Sequence, residues 1–316
     1  MAIALSFDDP RIASLRTSVR EHIQHHILPH AEQWEALGTT PHEAFAKLGE
    51  QGLLGVCHAA EYGGLDLGPV GSVAFAEELA ACTYGGFVEA VLIHADMSST
   101  HIAHRGNAAQ RQRYLPQMIR GHWICGIAVT EPEAGSDVAG MQTTARREGD
   151  SYVLNGVKTY ATNALHGDVM IVAARTDLQA KASRGISLFI VERNTQGLQI
   201  ESMVAKHGLL SSDMARMSFN NARVPADCLL GEENRGFYGI MENFQNERLV
   251  LGAMALGMSK QALALTLDFV KSRKAFGGTI WDLQTTRQRL ALLAARLSAL
   301  RSLVHETAQR IANGED

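Results

Sequence analysis

Apolar residues recur at helical spacing through roughly the first 120 positions. Ile12, Leu15, Val19, Ile23 and Ile27 keep that period up to Pro29, and TPHE at 40–43 predicts a capping box with proline at the first helical position. Further helical patterns run through VGSVAFAEELAAC, VEAVLIHADMSSTHIAH and AAQRQRYLPQMI. From about Trp123 to Leu230 the signals become strand-like. ICGIAVT, SYVLNGVKTYAT, DVMIVAAR, GISLFIVER, LQIESMV and ARMSFNN are short, β-branched and bounded by Gly, Asn, Asp or Ser, which predicts strands. Helix returns after GEENRGF and is expected to run through VKSRKAFGG. A second long helix begins near Leu283, with Leu290, Leu293, Leu297, Leu300, Val304, Ala308 and Ile311 on one face.

The order predicts an α+β chain in three parts: an N-terminal helical domain over 1–122, a central β-barrel or sandwich domain over 123–232, and an incomplete C-terminal helical bundle over 233–316. The exposed stripe at 290–311 wants partner helices, so association or poor solubility is expected. Composition changes this little. With 316 residues, 46% hydrophobic and 20% charged, the chain can bury a core. The 29 basic and 33 acidic residues, without a Lys/Arg block, leave no footprint for nucleic acid. Cys57, Cys82, Cys125 and Cys228 lack metal or redox spacing and read as free thiols. The first residues, MAIALSFDDPR, do not read as a leader, and the apolar runs read as too short and interrupted to span a bilayer. No metal site is expected.

Glu247 is the first chemical anomaly. Ile240, Phe244, Leu251, Met254 and Met258 recur at steps of four and three, and Glu247 falls on the same stripe. An ionised carboxylate removed from water must be paired, protonated or facing a cavity. Arg248 is not its partner, because residues one apart on a helix do not face each other. From the pattern alone, a structural ion pair across the bundle and a catalytic base both stand. TEPEAGSDVAG (130–140) reads as a Gly/Pro turn or as a loop whose backbone can approach a ligand. NGVKTYATN (155–163) carries a hairpin signal, and RKAFGG (273–278) reads as a basic helix end.

Together with NERLVLG (246–252), those three motifs in that order resemble the acyl-CoA dehydrogenases. The likeness covers the whole chain. GISLFIVE, LLGEENRGFYGIM and the glutamate of NERL bring it closest to the long-chain, isovaleryl and citronellyl members, without the C-terminal part that family members carry.

The resemblance implies FAD-dependent α,β-dehydrogenation of an acyl-CoA to a trans-2-enoyl-CoA, with electrons passed to an electron-transfer flavoprotein. It makes Glu247 the base. It assigns Thr130, Ser136, Tyr160 and Thr162 to the flavin, with Ser136, Phe244 and Arg248 toward the acyl-CoA. Arg273, Phe276 and Gln284 would hold the pyrophosphate and adenine end of FAD in a neighbouring subunit, hence a homodimer or homotetramer. Many relatives carry Trp or Phe where this chain has Tyr160. The implied place is the cytoplasm of a bacterium, or the mitochondrial matrix for a processed eukaryotic chain. The rivals are an acyl-CoA oxidase or flavin monooxygenase on the same fold, and a shortened non-catalytic paralogue.

Overall fold

The structure, a computed structural model, describes residues 5–203 and 206–315. Val204, the last residue of the predicted strand LQIESMV, and Met1–Ala4 of the N-terminal reading lie outside them. The chain is α+β and divides into two compact units, one of Met1–His25, Leu67–Thr83 and Arg248–Asp316, the other of His26–Asp66 and Tyr84–Glu247.

The second of these holds the sheet. Its helices are α2 (Ala31–Leu37), α3 (His42–Glu50), α5 (Gly85–Leu92), α6 (Ser99–Arg105) and α7 (Ala108–Ile119). The strands are β1 (Cys125–Ala128), β2 (Thr144–Glu148), β3 (Ser151–Thr162), β4 (Val169–Arg175), β5 (Ile186–Glu192), β6 (Leu198–Ser202), β7 (Met214–Pro225) and β8 (Leu229–Leu230). They pair in the order β6-β7-β3-β2-β4-β5-β8, with β1 parallel to β4. Burial explains the sequence of β4 and β5. VMIVAA and ISLFIV are buried at every position, as strands covered on both faces must be.

Three local expectations fail for identifiable reasons. Thr40 does not cap α3; its hydroxyl donates to the Ser211 carbonyl at 3.0 Å, a buried acceptor that outcompetes the helix end. Asn155-Gly156 is no hairpin, since β3 runs straight through it with a bulge at that point. Gly156 has φ +146°, and a Cβ there would lie 2.4 Å from the Thr143 hydroxyl, so the glycine serves close strand approach. VEAVLIHADMSSTHIAH is broken between α5 and α6 by a π-helical segment, Ile93–Ser98, which places His94, Asp96 and Met97 inside the protein.

The other unit packs α1 (Pro10–His22) and α4 (Gly68–Leu79) with the later part of α8 (Gly236–Ser272) and with α9 (Gln284–Ala312). Long helices α8 and α9 are joined by a two-stranded hairpin, β9 (Lys274–Ala275) and β10 (Gly278–Thr279). RKAFGG is therefore a hairpin, and α8 ends at Ser272. Phe276 and Gly277 both have positive φ, +53° and +82°, the geometry of the tight primed turn that matches strand twist. Contrary to the sequence reading, α8 is long and apolar enough to cross a membrane by length and composition alone. Core helices of soluble proteins pass the same test. On α9, Leu290, Val304 and Ala308 are buried while Leu293 and Ile311 are exposed.

Glu77 ties this unit together. Its carboxylate is buried on α4 and accepts from Arg16 Nη2 on α1 at 2.8 Å and His305 Nε2 on α9 at 3.0 Å, with Lys260 Nζ of α8 at 3.6 Å. Burial alone would raise its pKa, but His305 and Arg16 outweigh it and lower it to about 2. A depressed carboxylate contributes stability that is complete above its unfolded pKa and lost as pH falls toward the folded one. The shift corresponds to about 3 kcal/mol, present at neutral pH and lost between about pH 4.5 and 2. Urea unfolding at pH 7 and pH 3 should show Glu77→Gln losing less stability on acidification than wild type. An equal loss in both would remove Glu77 from this role.

Candidate active site

The loop at 130–140 is fastened from beneath. Lys158, on β3 and wholly buried, donates to Glu131 at 2.7 Å and to the Val129 carbonyl at 3.0 Å. Glu131 also accepts from the backbone N–H groups of Gln142 at 2.6 Å and Thr143 at 3.0 Å. Burial brings the Lys158 ammonium down to about 8 against the pull of the carboxylate. Glu131 is held below the ordinary carboxylate range, because Lys158 and the loop N–H donors outweigh its burial. Glu131 stands in the sequence only as one residue of the TEPEAGSD loop, and Lys158 carries no signal, since alternation in NGVKTY sets it with Tyr160 and opposite Val157.

This anchoring brings Thr130 to the end of β3, where its carbonyl accepts from Thr159 N–H at 2.9 Å. Tyr160 follows with φ +57° and its ring 61% exposed, an unusual backbone for a bulky residue. Thr162 is buried, and Ser136 is exposed on the loop. The Thr159 hydroxyl is buried without a hydrogen-bond partner among the described residues. A Cβ added at Gly135 would meet nothing within 4 Å. An exposed ring held in a strained conformation, a loop with open space above it and an orphaned hydroxyl suit a planar, polar-edged group such as a flavin.

Glu247 lies on α8 with its side chain 13% exposed. Asn243, one turn earlier, donates from Nδ2 to Glu247 Oε1 at 2.7 Å and to the Met97 carbonyl at 2.8 Å, and accepts from the Thr100 hydroxyl at 3.0 Å. Asn246 Nδ2 donates to the Asp96 carbonyl at 2.9 Å. The π-helical segment thus supplies the carbonyls that fix this stretch of α8. Buried positions on the helix include Ile240, Asn243, Leu249, Val250, Ala253, Met254 and Leu256, so Ile240 and Met254 of the stripe read in the sequence are buried, while Leu251 is 45% exposed. Among the described residues the ion-pair neighbour of Glu247 is His101, with Nε2 at 3.8 Å, rather than an Arg or Lys. Phe244 is partly buried against the core of the sheet unit.

Arg248, Arg273, Phe276 and Gln284 belong to the other unit and are exposed, Phe276 at 93%. Arg273 lies at the end of α8, Phe276 at the tip of the β9–β10 hairpin and Gln284 at the start of α9.

Three family models match in chain order: acyl-CoA dehydrogenase N-terminal domain over 10–122, middle domain over 126–222 and C-terminal domain over 234–316. The long-chain specific acyl-CoA dehydrogenase of Sus scrofa mitochondria is 38% identical over 297 residues, 93% of this chain and 68% of that protein. Isovaleryl-CoA dehydrogenase of Pongo abelii is 35% identical, over 95% of this chain and 71% of that protein. Among solved structures, an acyl-CoA dehydrogenase from Geobacillus kaustophilus superposes with TM-score 0.94 at 38% identity, covering 99% of this chain and 82% of that one. An FAD complex of PigA superposes with TM-score 0.93 at 25% identity, covering 100% and 82%. The helical, sheet and helical segments thus occur in the order and fold of these relatives, and the chain belongs to the acyl-CoA dehydrogenase family.

Proposed function

We propose that the chain performs its family's reaction, dehydrogenation of an acyl-CoA to a trans-2-enoyl-CoA, with Glu247 as the base and an electron-transfer flavoprotein as electron acceptor. The observation that carries this is the state of Glu247: a largely buried carboxylate oriented by Asn243, with no Arg or Lys among the described residues committed to neutralising it. A structural glutamate at such a position would need that cation. Glu247 receives the proton lost from the α-carbon. Bound FAD would supply the acceptor for the hydride lost from the β-carbon, and the thioester would leave with one new C=C bond.

Thr130, Ser136, Tyr160 and Thr162 would hold FAD, the exposed ring of Tyr160 offering an aromatic face and the hydroxyls and loop N–H groups offering polar contacts. Ser136, Phe244 and Arg248 would line the way for the acyl-CoA. Arg273, Phe276 and Gln284 would serve the FAD of a neighbouring subunit in a homodimer or homotetramer. Their exposure, and a phenylalanine held in a left-handed turn with its ring in solvent, support that reading.

An anaerobic visible spectrum of the purified protein, with and without short, branched and long acyl-CoA thioesters, tests the assignment. Yellow protein bleached by one of them is expected. Colourless protein that takes up no added FAD would overturn the assignment.

A further inference from the structure

His101, on α6, has its side chain entirely buried, and neither ring nitrogen makes a hydrogen bond among the described residues. A buried imidazole in that state carries a desolvation penalty that an apolar side chain of similar size would avoid. The group it approaches is the site's own carboxylate. Nε2 lies 3.8 Å from Glu247 Oε1, the same oxygen that Asn243 holds at 2.7 Å. No hydrogen bond is made to Oε2 by the described residues. A movement of about 1 Å by either side chain brings Nε2 to hydrogen-bonding distance.

We propose that His101 is a positioning residue for the base: with Asn243 it anchors Oε1, so that Oε2 is turned toward the thioester α-carbon and keeps its lone pairs for the proton. This rests on the reading of Glu247 as base. Two donors on one oxygen fix the carboxylate's rotation where one would leave it free to swing. An N–H donated to the anion also favours the ionised, proton-accepting form. Separations in a substrate-free site that tighten when substrate arrives are usual for such groups. The other titratable or charged groups of the surrounding elements include His58, whose Nε2 bonds Ser99, His94 and Asp96 on the π-helical segment, His104 and Arg105 on α6, Arg111, Arg113 and Tyr114 on α7, and Glu242 and Arg248 on α8. Burial lowers the His104 pKa, with His101 opposing its charge further, so His104 does not supply a competing cation near neutrality.

The test compares His101→Leu, His101→Asn and His101→Gln in the FAD-loaded full chain, alongside Glu247→Gln. Each is assayed with whichever thioester of a short, branched and long acyl-CoA panel reduces the wild type. Glutamine can place an N–H where Nε2 stands; asparagine is too short and leucine has none. Leu and Asn should lower kcat about 10- to 100-fold with KM nearly unchanged, the cost of a misplaced reacting group. They should also move the acid limb of the kcat/KM profile to higher pH, while Gln stays near wild type. The melting temperature of the FAD-free Leu variant should equal or exceed that of wild type, which separates positioning from folding. If Leu does not fold, the Asn/Gln contrast decides.

Wild-type kcat and pH profile in the Leu and Asn variants, or equal impairment by Gln and Asn, would overturn the role while leaving Glu247 as base. Near-normal turnover by Glu247→Gln, or a wild type that none of the panel reduces, would bring down the underlying reading and this one with it.

Discussion

Glu247→Gln is expected to fold, retain FAD and dehydrogenate acyl-CoA about 10²- to 10⁴-fold more slowly, with little change in KM. The substitution is nearly isosteric. The amide oxygen can still accept from Asn243 Nδ2, so the network through Met97 and Thr100 stays in place. What is lost is the second oxygen: an NH₂ group in its place cannot take a proton. Because the carboxylate has no Arg or Lys partner among the described residues, neutralising it strands no buried cation, and stability should change by less than about 1 kcal/mol. Loss of stability is what the rival structural reading requires. Rapid-mixing flavin reduction measures the chemical step directly, and thermal melting measures the fold. A variant that is destabilised but reduces its flavin at the wild-type rate would make Glu247 structural; a stable, slow variant makes it the base.

How far the sequence carried the reading depends on whether one period governs each segment. Strands β4 and β5 were legible because runs buried on both faces are almost wholly apolar, and α9 because its leucines keep one spacing. The failures share a cause: a distant partner overrode a local signal. Asn155-Gly156 looks like a turn, yet β7 and β2 flank β3 on both sides and carry it through as a strand with a bulge. Thr40 looks like a cap, yet Ser211, far along the chain, takes its hydroxyl. The stripe on α8 was drawn through Leu251 because leucine outranks asparagine on any hydropathy scale. The structure buries Asn243 instead, since Met97 of the π-helical segment accepts from its amide and the Thr100 hydroxyl of α6 donates to its carbonyl.

The candidate site divides in the same way. Glu247 was visible as a polar residue on an apolar stripe, and the loop motifs as glycine-punctuated turns. Asn243, His101, Glu131 and Lys158, which orient or fasten those residues, carry no signature of their own because their partners lie far away in sequence. His101 sits among polar neighbours in SSTHIAH and has no meaning until α6 is placed beside α8.

Lys158→Met should be the most destabilising single change considered, by about 3–5 kcal/mol, because it leaves Glu131 buried without its counter-charge. The lysine has no exposed surface on its side chain and the glutamate only 4%, so water cannot replace the ammonium without opening the loop. The damage therefore has a direction. Glu131 would retain the Gln142 and Thr143 N–H donors but lose its cation, and either it takes up a proton or the segment from Thr130 to Thr143 moves outward. Outward movement displaces Thr130 from the Thr159 N–H and releases the strained Tyr160, so weakened FAD retention should accompany the fall in stability. The double variant Glu131→Gln/Lys158→Met removes both charges and keeps an acceptor for the backbone donors. It should recover most of the lost stability, as replacement of a whole buried ion pair often does. Urea midpoints for the two single variants and the double, with bound FAD measured on the same samples, give the coupling between the residues. Additive losses in the double variant would show that the pair does not act as a unit, and undiminished FAD in Lys158→Met would detach the pair from the flavin loop.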